Sequence, residues 1–391
     1  MPWKTSGAEK ERRRFVAARL AGKNTMAELC RQFEISRQCG HKWWRRFQAQ
    51  GARGLTARPH ETVLAARLEG RWLEPVLRRR RKHAQWGAPK LHWLLRRQQR
   101  HGPWPSVATI GRWLKRAGLT RRRPDRARPG PALLLPTRRA GRSPNTVWTV
   151  DFKGCFYTTD RHRVCALTVR DLATRYLLAV RQVRPTEAVV GRVLQRLFAR
   201  HGRPRAIRTD NGPPFGSMGP RGWTPLTLAW VRQGIRVEFG RPGCPQDNAG
   251  HEQMHGVLKR ETAQPAAANL VAQQRRFDRW RWRYNHLRPH DGLGPCPPAW
   301  RYARKRHRSA WVRTWTYPRG CQLARLDPRG RLRWDGRPRH IGRAFARQQV
   351  GLKRKTAQMM EVYFGPHLLG TLHQSDRAGL RPVQWRLPRR G

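Results

Sequence analysis

Three carboxylates stand where a chain could do phosphodiester chemistry. Asp151 closes the run TVWTVD, Asp210 is followed by Asn211 and Gly212, and Glu252 follows a Gly/Pro-rich stretch. Exchange at a phosphodiester calls for a negatively charged site that holds divalent metal, with two ions clamping the attacking and leaving oxygens. Magnesium is hard and takes oxygen ligands, hence carboxylates. Taken singly, an aspartate at a strand end is a cap or turn residue, and a glutamate in a first helical turn complements the helix dipole. The three in this order point instead to metal-dependent chemistry on DNA or RNA. A second constellation overlaps the third acid. His251-Glu252-Gln253-Met254-His255 reads HExxH, whose two imidazoles on one helix face can bind zinc, with the glutamate as general base of a metallopeptidase. Its extension is missing: Glu261 stands where a third histidine would fall, and the downstream ligand would have to be Asp278.

The elements that must position these residues are legible as patterns. Residues 10–22 and 25–33 read as helices, Glu34-Ile35 as a turn, and Ser36 as the N-cap of a helix over about 36–49. That last helix carries Arg37, Gln38, His41, Lys42, Arg45 and Arg46, so the pattern is a helix-turn-helix with a basic second helix suited to the major groove. A second helical block over 61–119 breaks at Trp86-Gly87 and restarts from a cap at Ser106, which makes a second helix-turn-helix unit plausible on pattern. Residues 120–145 are Arg/Pro-rich and read as a basic linker. From 146 the pattern becomes βββαβαβα: strands at 146–152, 163–170 and 175–183, a helix at 186–201, a strand at 206–209, a helix ending near 233, a strand at 235–239 and a long helix from about 249. That order predicts a mixed α/β sheet. Residues 308–375 predict short strands (among them CQLARL, RLRW, HIGRAF, QVGLKR and MMEVYF) forming a small β-barrel or sandwich, followed by a basic tail.

Composition narrows the function classes. The chain has 391 residues, 84 Lys and Arg against 23 Asp and Glu, and a net charge of +61. Such an excess argues against an ordinary metabolic enzyme or a peptidase and for a polyanionic partner, nucleic acid above all. The charge is uneven: +28 over 1–145, +14 over 146–300 and +19 over 301–391, so the flanks read as DNA grips around a more acidic middle. Hydrophobic residues at 38% and 18 Trp supply real cores. No run approaches the ~20 apolar residues of a membrane span. The N-terminus lacks a signal-peptide core, and seven scattered Cys without a CxxC pair fit a reducing compartment and speak against a disulfide framework. The expected location is the cytoplasm, on the nucleoid.

Four ordered motifs carry a family resemblance. WTVDFKG (148–154), RTDNGPPF (208–215), PGCPQDNAGHEQMHGVLKRE (242–261) and YNHLRPHDGL (284–293), with Pro298 and Tyr302, resemble the catalytic core shared by retroviral integrases and DDE-type insertion-sequence transposases. The resemblance implies a multidomain chain: helix-turn-helix at 1–60, a second helical DNA-binding unit at 61–120, a linker to 145, an RNase H-like core over 146–305, a small β module at 306–375 and a tail. It implies Asp151, Asp210 and Glu252 as ligands of two Mg²⁺, with Mn²⁺ as a substitute, and DNA cleavage and strand transfer as a homo-oligomer on the element's terminal inverted repeats and target DNA. Lys259, seven residues beyond Glu252, is expected to touch DNA along with Arg37, Gln38, Lys42 and Arg45. The 41 residues between Asp210 and Glu252 exceed the family's common spacing; GSMGPRGW (216–223) accommodates the surplus. A non-catalytic helix-turn-helix regulator explains residues 1–120 and leaves the three acids without a purpose.

Overall fold

The computed structural model describes residues 7–56, 63–98, 102–120, 143–240, 249–303, 315–376 and 379–383. The expected basic linker falls almost wholly outside them, as does most of the basic tail. Clustering of neighbours divides the chain into two compact units, Met1–Pro75 with Pro103–Pro105, and Val76–Gly102 with Ser106–Gly391.

In the first unit, α1 (Ala8–Leu20), α2 (Met26–Gln32) and α3 (Arg37–Gln50) follow the sequence pattern closely. Thr25 and Glu28 form a reciprocal capping box on α2, and Ser36 Oγ accepts from Cys39 N at 3.2 Å to start α3. Phe15, Val16, Leu29, Cys30, Ile35, Trp43 and Leu55 form the core. Gly40, inside α3, lets the helices close up, since a Cβ there would lie 2.5 Å from Cys30 Sγ and 3.1 Å from Phe15. Trp43 is flanked by two guanidiniums, Arg12 at 3.9 Å and Arg46 at 4.6 Å from the ring centroid. Arg37, Gln38, His41, Lys42 and Arg45 are exposed together along α3.

Helix α4 (Val63–Lys82) leads into α5 (Ala88–Gln98) and α6 (Val107–Arg116), the last capped by Ser106 as its sequence suggests. Then comes a five-stranded sheet in the order β3-β2-β1-β4-β5, made of β1 (Val147–Tyr157), β2 (Arg163–Asp171), β3 (Leu177–Gln182), β4 (Ala206–Thr209) and β5 (Arg236–Phe239). β1 to β3 form an antiparallel meander, while β4 and β5 add in parallel to β1. Helices α7 (Glu187–His201) and α8 (Pro225–Arg232) provide the crossovers, as the βββαβαβα reading requires. Strand alternation sends Trp148, Val150, Leu167 and Val169 to an apolar cluster with Leu194 and Phe198 of α7 and Trp230 of α8. The opposite side packs Val164, Ala166, Leu177 and Val180 against α9 (Ala249–Leu258) and α10 (Leu270–His286), through Met254, Val257, Phe277 and Trp280. The expected long helix is therefore two helices. A π-helical turn over Lys259–Ala263 follows α9, with Lys259, exposed like Glu252, as its first residue.

The stretch YNHLRPHDGL with Pro298 and Tyr302 is a set of structural pins. The side chain of Asn285 on α10 accepts from Leu177 N at 2.8 Å and donates to Leu177 O at 2.9 Å, fastening the helix to β3. After the short helix α11 (Pro298–Arg301), Tyr302 stacks on Tyr176 with centroids 4.2 Å apart.

Two further expectations need correction. Cys155 and Cys165 form a disulfide across β1 and β2, with Cα atoms 4.5 Å apart. Sequence spacing could not reveal this, because a register irregularity between Lys153 and Phe156 is what brings the two residues opposite each other. Among the described residues, the C-terminal strands form an open sheet and not the expected barrel. β6 (Gln322–Arg325), β9 (Gln349–Thr356), β10 (Met359–Phe364), β11 (His367–His373) and β12 (Arg381–Pro382) form an open sheet in the order β12-β11-β10-β9-β6, and β7 (Arg331–Trp334) with β8 (Arg337–His340) is a separate hairpin. Of HIGRAF, only His340 lies in a strand, and Arg343–Phe345 form a 3₁₀ turn. The apolar face of this module buries Val350, Val362 and Phe364 with Trp223, Leu228 and Val231, so the core's own residues cover what a barrel would have enclosed.

Candidate active site

Asp151 and Asp210 come from neighbouring parallel strands. The β1–β4 ladder ends at the pair Thr149 with Arg208, and each aspartate lies two residues further along its own segment. Asp210 leaves β4 into a tight turn. Phe215 N and Gly216 N both donate to Gly212 O, at 3.0 and 2.9 Å, and Asn211 Nδ2 donates to Gly240 O at 2.8 Å, tying the turn to the end of β5. Gly216 is required there, since a Cβ would lie 2.3 Å from Asn211 O. Phe215 anchors the turn in the core, 5.9 Å from the ring of Phe152 and 6.3 Å from that of Trp230. Asp210 is open to solvent, yet the protein packed about the strand end desolvates its carboxyl and pushes it above the ordinary carboxylate range.

Glu252 is exposed in the first turn of α9, where the positive end of the helix dipole favours a carboxylate. Its neighbours His251 and His255 turn the other way and are buried. Both Nε2 atoms reach one hydroxyl, Thr168 Oγ1, at 3.0 Å from His251 and 2.8 Å from His255. Thr168 sits on β2 directly opposite Asp151 and donates to the Asp151 carbonyl at 3.0 Å. His255 Nδ1 lies 3.9 Å from Asp151 Oδ2. Burial holds both imidazoles neutral: His251 is pushed well below its ordinary value, and His255 to about 3, with Lys153 and Arg170 adding repulsion there. Arg170, buried on the same side of β2, donates to the Gly250 carbonyl at the start of α9.

The structure thus brings Asp151 beside the helix of Glu252 and beside Asp210's strand. Among the described residues, however, no three His, Cys, Asp or Glu side chains are gathered closely enough to hold a metal ion. The donor chemistry fits a hard cation: carboxylates just past the last pair of two adjoining parallel strands, Asp151 within β1 and Asp210 immediately after β4, the latter with a raised proton affinity that a cation would relieve. It does not fit zinc, because both Nε2 atoms of the HExxH motif are engaged by Thr168 and Asp278 pairs with Arg181 at 3.4 Å. Thr168 and Arg170 were missed from the sequence. Their signal was two polar residues at alternate positions of a strand whose interior is otherwise Val164, Cys165, Ala166, Leu167 and Val169.

Comparison with known proteins gives the following. Two models described as integrase core domain match residues 141–245 and 233–298, and one described as helix-turn-helix domain matches 11–60. An uncharacterised 39.2 kDa protein of insertion element IS476 from Xanthomonas euvesicatoria is 32% identical over 221 residues, 56% of this chain and 60% of that protein. This chain therefore spans less than two thirds of that relative's length. An uncharacterised 31.7 kDa protein of insertion element IS407 from Burkholderia multivorans is 30% identical over 242 residues, 61% of this chain and 81% of its own length. Among solved structures, the HTLV-2 integrase catalytic core domain in complex with magnesium is 17% identical, with TM-score 0.32, over 41% of this chain and 98% of that one. The simian T-cell lymphotropic virus intasome, in complex with a PP2A regulatory subunit, is 16% identical with TM-score 0.36 over 75% and 97%.

Proposed function

This chain belongs to the DDE-type insertion-sequence transposases built on an integrase-like core, and from that premise we propose that it cuts and joins DNA at the three carboxylates Asp151, Asp210 and Glu252. The observation that carries the reading is the placement of Asp151 and Asp210 just past the paired ends of two parallel strands, with the helix of Glu252 held against the next strand. Asp151 and Asp210 would hold divalent cation from the sheet and Glu252 from the helix. Two Mg²⁺, when bound, supply the Lewis acidity and positive charge that phosphodiester exchange needs, and Mn²⁺ should substitute. The same site would serve hydrolysis at the element end and attack by the freed 3′-hydroxyl on target DNA. No Ser or Tyr nucleophile is required, so no covalent protein–DNA intermediate forms.

The rest of the chain would grip DNA. The exposed row Arg37, Gln38, Lys42 and Arg45 on α3 is suited to base edges and phosphates of the terminal repeats, the second helical unit over 61–120 extends that contact, and Lys259 meets the backbone near the acids. Because two ends must be joined to one target, the working form is a homo-oligomer on DNA. A chain of net charge +61 doing this would work on the nucleoid.

Incubating the full-length protein with end-labelled element DNA tests the reading. Cleavage at the 3′ ends should require Mg²⁺ or Mn²⁺ and should vanish in Asp151→Asn while end binding persists. Metal-independent cleavage, or near-wild-type cleavage by Asp151→Asn, would overturn it.

A further inference from the structure

We propose that Thr168, His251 and His255 form a hydrogen-bonded clamp that positions Asp151 and Glu252 relative to each other, with both imidazoles in the Nε2–H form. It rests on the reading of Asp151 and Glu252 as metal-holding acids.

Proton counting fixes the arrangement. A threonine hydroxyl has one proton and two lone pairs. The Asp151 carbonyl 3.0 Å away can only accept, so the proton of Thr168 goes there. Both lone pairs must then accept, one from each Nε2–H, at 3.0 and 2.8 Å. The hydroxyl is fully used, and each ring is assigned a tautomer. Among the described residues, the Nδ1 of His251 is buried with no hydrogen-bond partner. A bare lone pair there is cheaper to leave unpaired than an N–H would be. The rings sit 5.0 Å apart, one helical turn from each other, which is the spacing a single hydroxyl can bridge.

Position gives the clamp its purpose. Thr168 lies opposite Asp151 in the β1–β2 ladder, and its proton holds Asp151's own carbonyl. Its two acceptor sites hold the residues immediately before and three after Glu252 on α9. One buried hydroxyl therefore ties the strand of one acid to the helix of another. The same tautomer points a lone pair of His255 toward Asp151 Oδ2, at 3.9 Å. An Nδ1–H would instead turn its positive end toward that oxygen and oppose a cation's approach. The HExxH motif is thus read as a scaffold for its glutamate, with the histidines as positioning residues.

The test uses the full chain, with Thr168→Val to remove the hydroxyl at constant shape and Thr168→Ser to restore it. Mn²⁺ binding is measured on protein with the metal alone. Thr168→Val should bind Mn²⁺ at least about tenfold more weakly, the size seen when outer partners of metal ligands are removed. Thr168→Ser should match wild type. Two-bond ¹H–¹⁵N spectra of wild-type protein labelled in its imidazoles should show His251 and His255 as Nε2–H. Equal Mn²⁺ affinity in Thr168→Val and wild type, or an Nδ1–H tautomer at either histidine, would overturn the clamp. Should Thr168→Val fail to fold, the wild-type spectrum and the serine variant still decide. If Asp151→Asn also leaves Mn²⁺ affinity untouched, the assignment of the acids fails, and the spectrum judges the hydrogen bonds separately.

Discussion

The two sides of the central sheet are built from the same strands and do opposite things. On the α7 side, Trp148, Val150, Leu167, Val169 and Ile207 meet Leu194, Phe198 and Trp230 in a continuous apolar layer. On the α9 side, the layer begins the same way with Val164, Ala166 and Val180, then gives way to Thr168, Arg170, Asp151 and two buried histidines. Burying such groups costs free energy unless they are hydrogen-bonded; here Thr168 Oγ1, both imidazole Nε2 atoms and the Arg170 guanidinium have partners, while Arg170 Nε and His251 Nδ1 have none among the described residues. The contrast separates a face that holds the fold from a face on which the proposed chemistry sits. It also explains why alternation within β1 matters: neighbours one residue apart, such as Val150 and Asp151, serve different faces.

The largest stability effect should come from the apolar side. Trp230 is essentially buried between the sheet and the turn that carries Asp210. Trp230→Ala should cost about 3–5 kcal/mol in urea unfolding, the usual range for an aromatic removed from a core. A loss under about 1 kcal/mol would mean that the two sides do not divide the work as described.

A smaller effect is expected where the polar side is structural. Asn285→Ala leaves the buried N–H and C=O of Leu177 without their partners. It should cost about 2–3 kcal/mol by the same measurement, since each buried group left unsatisfied carries a desolvation penalty. Because Asn285 touches no acid in these hydrogen bonds, metal binding by the folded variant should stay at the wild-type level. Equal loss of metal affinity would join this pin to the site.

The smallest effect concerns pH. Burial, with Arg288 nearby, lowers the ammonium of Lys90 on α5 to about 8. An unfolded lysine titrates near ~10.4, so between these values the unfolded chain binds more protons and stability rises with pH. Below about 8 both states are charged and the full cost of burying the charge is present. Wild type should therefore gain on Lys90→Met as pH climbs from 7.5 to 9.5, by at most about 1 kcal/mol because the group is partly exposed and screened by solvent. Parallel melting curves for the two proteins across that range would remove Lys90 from the account.

Much of this organisation was legible because it rests on local signals. The periodicity of Val190, Leu194 and Phe198, the cap at Ser36 and the run TVWTVD each report an element directly. What stayed hidden depends on pairing. The register irregularity that joins Cys155 to Cys165, the two histidines converging on Thr168, and the cover that Trp223 and Val231 provide for the C-terminal sheet are contacts between distant segments, with no local trace. The histidines were legible as a motif and misleading as one: HExxH spacing is met equally by two rings that share a ligand and by two rings that share a hydroxyl. The end of the expected long helix, by contrast, did have a local trace: Pro265 follows the π-helical turn over Lys259–Ala263 and separates α9 from α10.

The central claim is that carboxylates at the sheet's polar edge serve chemistry and leave folding alone, and Asp210→Asn tests it most directly. Asp210 is solvent-open, and its carboxyl is raised by desolvation, so removing its charge should leave the fold as stable as before or slightly more so. Melting temperature and Mg²⁺-dependent cleavage of end-labelled element DNA are read on the same preparation. The account predicts an unchanged or slightly raised melting temperature with cleavage down by about a thousandfold or more, the scale on which loss of a metal's charge stabilisation acts. Cleavage within a few-fold of wild type, or a loss of activity that only tracks a fall in melting temperature, would contradict it.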